Sequence, residues 1–112
     1  MKFHLTLIVL TGLSLAGCSS TFLASKDGKG YYLGSSSDAA RRMFCESGDL
    51  KSVLADTRLP GEISIPLYDA ACGDVRSPAK VRELYAQMTA EQRKDLRQAF
   101  KRRGYDINYI PC

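Results

Sequence analysis

The cysteines at positions 18, 45, 72 and 112 are the side chains of this chain best able to form or break covalent bonds. None sits in a Cys-x-x-Cys, so their spacing disfavours both a thioredoxin-like redox site and a zinc knuckle. The single histidine, His4, lies beside the first apolar run. An imidazole general base, a Cys–His or Ser–His nucleophile and imidazole ligation of a metal would each need one elsewhere. Carboxylates can be paired on paper, Glu83 with Glu91 or Asp69 with Asp74. At those spacings on amphipathic helices, acidic side chains read as solvent-facing. Gly28-Lys29-Gly30 precedes two tyrosines rather than a helix, which makes it a poor phosphate loop. The expectation is a protein that is not an enzyme and has no metal site and no dissociable cofactor.

What Cys18 can do is set by the residues before it. A basic Lys2 and a nearly unbroken apolar segment, Leu5 to Leu15, lead into Leu15-Ala16-Gly17-Cys18, and Ser19 and Ser20 follow. This is the anatomy of a secretory signal with a small-residue cleavage site. The apolar run is shorter than the roughly 20 residues a spanning helix requires. Its last four residues resemble the lipobox of bacterial lipoproteins, in which the cysteine is acylated and becomes the new first residue. The resemblance covers residues 1 to 20. It implies that residues 1–17 are a signal peptide, removed together with His4, and that Cys18 carries a thioether diacylglycerol and an amide-linked acyl chain such as palmitate. Two or more chains suffice for stable anchoring. Serine rather than aspartate at position 19 implies the bacterial outer membrane, facing the periplasm.

With Cys18 acylated, Cys45, Cys72 and Cys112 remain, and an oxidising compartment favours one disulfide among them. Cys72 falls on an apolar stripe and is the preferred member; its partner is Cys45 or Cys112. The third is left free or available for an intermolecular bond. A loop of about 30 to 40 residues closed in this way contributes roughly 3 to 4 kcal/mol in the chain-entropy model.

Two segments must position these residues. Residues 18–37, rich in serine and with glycines at 28, 30 and 34, have the composition of a flexible tether behind the lipidated cysteine. Tyr31, Tyr32 and Leu33 interrupt it, either as a first docked contact or at the lipid interface. Residues 38–112 read as a small helical domain. Ser36 or Ser37 with Asp38 opens a helix whose buried face is Ala39, Ala40, Met43 and Phe44. Asp49 begins a second, with Leu50, Val53 and Leu54. After a turn over Arg58 to Gly61, a third is expected to begin near Pro66, burying Leu67, Tyr68, Ala71 and Cys72 and stopping at Gly73. Ser77-Pro78 opens a fourth, with Val81, Leu84, Tyr85 and Met88 at i, i+3, i+4 and i+7. Thr89 to Gln92 is a capping box for a fifth, whose core stripe is Leu96, Ala99 and Phe100. Tyr105, Ile107, Tyr109 and Ile110 alternate along an extended C-terminal tail. The expected fold is all-α: four to five short helices, the extended tail and one disulfide.

Charge is unevenly spread. Residues 18–75 carry six basic and eight acidic side chains, and residues 76–103 carry nine and three. Arg93, Lys94, Arg97, Lys101, Arg102 and Arg103 crowd the last helix, either as a solvated face favoured near a helix C-terminus or as a patch for an anionic partner. No recognition motif accompanies them, so nucleic acid is not an expected partner. The leading expectation is a lipid-anchored interaction or assembly module for an envelope protein complex. In outline, small, lipidated, helical and stapled, it resembles the pilotins that help secretion pores assemble. The alternative is an envelope-binding protein whose basic helix holds peptidoglycan or lipopolysaccharide.

Overall fold

Asp27 and Gly28 join two strands into a tight hairpin. Both have positive φ, 53° and 79°, as a type I′ turn requires, and Asp-Gly is among the pairs that tolerate it. The computed structural model describes residues 21–110. In it, β1 (Thr21–Lys26) pairs antiparallel with β2 (Lys29–Tyr32) through that turn, and on its other side with β3 (Asp106–Ile110). The sheet order is β2-β1-β3. The fold is therefore mixed α/β, with helices and a three-stranded antiparallel sheet, and the all-α expectation is corrected. The all-helical outline shared with pilotins goes with it. Thr21 to Tyr32, whose composition suggests a tether, is a hairpin, and the extended tail is its third strand.

Between the strands lie the helices. They are α1 (Asp38–Arg41), continued by a π-helical turn over Arg42–Glu46, α2 (Asp49–Ala55), α3 (Gly61–Cys72), α4 (Pro78–Gln87) and α5 (Ala90–Arg102). Their starts follow local chemistry. The hydroxyl of Ser37 accepts from the Ala40 N–H, that of Ser77 from the Lys80 N–H, and Thr89 and Gln92 form the expected capping box. The third helix departs from expectation, because it starts at Gly61 and contains Pro66. Proline there removes only the bond to the Glu62 carbonyl, and Glu62 is exposed, so water can serve that acceptor.

The core sits between the inner face of the sheet and the helices. Phe22 and Ala24 of β1, Leu67 of α3, Val81 and Tyr85 of α4, and Leu96 and Phe100 of α5 are buried in it. A run of rings stitches the layers together. Tyr109 lies 4.6 Å from Tyr85, Tyr85 lies 4.8 Å from Phe22, and Phe100 lies 5.6 Å from Tyr105. Such edge-on and tilted pairs add to the area they bury. The disulfide joins Cys45, in the π-helical turn, to Cys72 at the end of α3. Of the two partners open to Cys72, the structure selects Cys45.

Candidate functional site

Helix α5 is held by its Leu96, Ala99 and Phe100 stripe, which leaves the rest of its circumference for charge. The structure does not gather the six expected cations into one patch. Arg93 turns inward: its Nη1 donates to the Met88 carbonyl at 2.6 Å and its guanidinium lies 5.9 Å from the Tyr85 ring centroid. Arg97 donates to the Tyr85 hydroxyl at 2.7 Å. Arg102 turns to the other flank, where Nε donates to Asp56 Oδ2 at 2.7 Å and Nη2 to the Asp56 carbonyl. Arg103, at the helix C-cap, is exposed. Helical spacing puts Lys94, Arg97 and Lys101 along one flank, since i, i+3 and i+7 align. Lys94 also borders a groove with Asp56, Arg58, Glu91, Asp95 and Arg102. Acids interleave with bases there, and the local field is mixed in sign. Asp95 itself is engaged, accepting from the Arg58 backbone N–H at 2.7 Å.

The remaining expected residues are scattered. Glu83 pairs with Lys80 at 3.0 Å. Asp69, Asp74, Glu83 and Glu91 are all exposed. No group of acids, cysteines and histidines suited to a metal occurs among the described residues. Cys18 and Cys112 lie outside the described residues.

Two features have no counterpart in the sequence reading. The first is a polar cluster where the end of β1, the start of α2 and the connection from α5 to β3 meet. Tyr105 is buried, its hydroxyl donates to Asp49 Oδ2 at 2.6 Å, and the Met43 carbonyl lies at 3.2 Å. Lys26 Nζ stands 3.5 Å from the same carboxylate and 5.1 Å from the Tyr105 ring centroid. Burial first, then the hydrogen bond and negative charge of Asp49, push the phenol well above the ordinary tyrosine range. A phenol so held donates a hydrogen bond but does not act as a base near neutral pH. The cluster therefore pins three segments together.

The second is an apolar recess between α2 and α3, lined by Lys51, Leu54, Ser64, Ile65 and Tyr68. Tyr68, expected on the buried face, is exposed, and Ile65 beside it is 72% exposed. A helix begun at Gly61 turns Leu67, Ala70 and Ala71 to the core and leaves Ile65 and Tyr68, at i and i+3, on the far side. The signal was in the sequence: Ile63, Ile65 and Leu67 are more aliphatic residues than one helical stripe can bury. Among the described residues no helix is long and apolar enough to cross a membrane. Comparisons with protein-family models, with curated proteins and with solved structures give no match.

Proposed function

We propose that this chain is a lipoprotein, anchored through Cys18 in the outer membrane and facing the periplasm, that serves as a non-catalytic interaction module for an envelope protein complex. Leu15-Ala16-Gly17-Cys18 supports the anchor, and the Cys45–Cys72 disulfide suits an oxidising compartment. The observation that carries the module reading is the Leu54–Ile65–Tyr68 surface. It presents an isoleucine and a tyrosine to solvent, rimmed by Lys51 and Ser64, on a helix stapled at its far end. An amphipathic helix of a partner protein would bury both residues.

Mild-detergent isolation of the full-length protein from its native envelope, beside Cys18→Ala, tests this. A stoichiometric membrane protein that co-purifies, and is mislocalised without the anchor, is the expected result. Recovery of cell-wall fragments or lipopolysaccharide alone, released by salt, would instead support the basic-helix alternative through Lys94, Arg97 and Lys101.

A further inference from the structure

We infer that the open end of the sheet, where β1 begins and β3 finishes, is a membrane-contact surface seated on the bilayer that holds the Cys18 anchor. The inference rests on the lipoprotein reading proposed above. Only Ser19 and Ser20 separate Cys18 from Thr21, the first residue of β1. Three residue steps reach at most about 11 Å. The polar interfacial layer on each side of a bilayer is itself about 6 Å deep. A lipidated Cys18 thus leaves the first strand almost no stand-off, and the end of the sheet it enters must meet the interface.

The residues at that end suit it. Directly paired residues share a face of the sheet, so the outer face holds Ser25 with Gly30 and Asp106 at the turn end. Leu23 with Tyr32 and Asn108, and then Thr21 with Ile110, follow toward the open end. The face therefore grades from polar at the turn to largely apolar at the anchor end. There Tyr32 is 49% exposed and Ile110 56%. Tyrosine favours the bilayer interface, where its ring and hydroxyl meet different media.

The loop between α3 and α4 joins the same end. Ser77 and Pro78 lie against Gly34, two residues beyond Tyr32. Val75, two residues before Ser77, is 83% exposed. Beside it Arg76 donates through Nη2 to the Ser36 carbonyl, which ties this loop to the segment that follows β2.

The chain has no tryptophan, so single-tryptophan variants report position cleanly. Lipidated Tyr32→Trp, Val75→Trp, Ile110→Trp and, as a control, Ile65→Trp proteins would be reconstituted into phosphatidylethanolamine–phosphatidylglycerol vesicles with brominated acyl chains. Intact-mass measurement of each would show the lipid on Cys18. The expected result is about threefold quenching and a blue shift at positions 32, 75 and 110, with little change at 65. A correct lipidated mass with unquenched emission at 32, 75 and 110, or with equal quenching at 65, overturns the contact surface and leaves the anchor standing. A mass without lipid overturns the anchor, and the contact surface falls with it.

Discussion

Tyr105 brings its hydroxyl to a carboxylate that lies 56 positions away in the sequence. Replacing it with phenylalanine removes the hydrogen bond to Asp49 and leaves that half-buried carboxylate with Lys26 alone. A hydrogen bond to a charged group is worth about 1.5 to 3 kcal/mol, and a loss of that order is expected for Tyr105→Phe at neutral pH. Its pH dependence has a definite sign. The folded phenol is raised above its ordinary 10.0, so the folded state keeps a proton that the unfolded chain releases. The contribution is full below pH 10 and shrinks as pH climbs above it. Urea midpoints at pH 7, 10 and 11 should converge for wild type and Tyr105→Phe, and a gap unchanged at pH 11 would contradict the assignment. At the same scale, replacing Cys45 and Cys72 together by alanine opens a loop of 27 residues' separation. Urea unfolding should then report a loss of about 3.5 kcal/mol. The preference for Cys72 was legible because its stripe was. The Tyr105–Asp49 pair was not, since neither residue carries a local sign of so distant a partner.

At the scale of elements, what could be read divides along range. The starts of α1, α4 and α5 are written in neighbouring residues, Ser37, Ser77-Pro78 and Thr89 with Gln92, because a cap is satisfied within one turn. The sheet is different. Its central strand comes first in the chain and pairs with residues near the other end, Thr21 with Ile110. Thr-Phe-Leu-Ala-Ser-Lys has Leu23 on the outer face and only an alanine beside Phe22 on the inner, so its alternation is faint. The Asp27-Gly28 pair was the readable sign of the hairpin, and Ser-rich composition masked it. The alternation of Tyr105 to Ile110 was visible, but an isolated strand does not show its neighbour. Two glycines test how the hairpin is seated. Gly28 and Gly34 both have positive φ, 79° and 96°, but a Cβ on Gly28 would meet nothing within 4 Å, whereas on Gly34 it would lie 2.8 Å from the Pro78 nitrogen. Gly28→Ala should cost only the backbone strain, about 1 kcal/mol, and Gly34→Ala distinctly more. Thermal unfolding of the two variants side by side would measure the difference, and equal values would mean that the loop does not pack on α4 as described.

For the whole molecule, the two exposed apolar regions lie on different layers, and so separate what holds the domain at the membrane from what it offers a partner. Tyr32 and Ile110 belong to the sheet and to the end nearest Cys18, while Ile65 and Tyr68 belong to the helical layer. Helix α2, which lines the second region, begins at Asp49, where it meets Lys26 beside the hairpin turn, away from the anchor end. A domain seated on its open end would therefore present α2 toward the periplasm. The basic helix is a weaker recognition surface than its composition suggested. Arg93 is spent on Met88 and Tyr85, and Arg102 on Asp56, in an exposed ion pair of the kind that contributes at most about 1 kcal/mol. These placements give opposite expectations for two variants. Ile65→Asp puts a charge where a partner's apolar face must desolvate it, and should reduce capture of the client by about tenfold or more. Because Ile65 is already 72% exposed, its melting temperature should stay near that of the parent. Joint reversal of Lys94 and Lys101 to glutamate, which spares the Arg97–Tyr85 hydrogen bond, should leave capture of a protein client intact. Quantitative isolation from envelopes, with melting curves for both variants, decides between them. Loss of the client in the charge-reversed protein and its retention in Ile65→Asp would move the binding surface from the α2–α3 recess to α5.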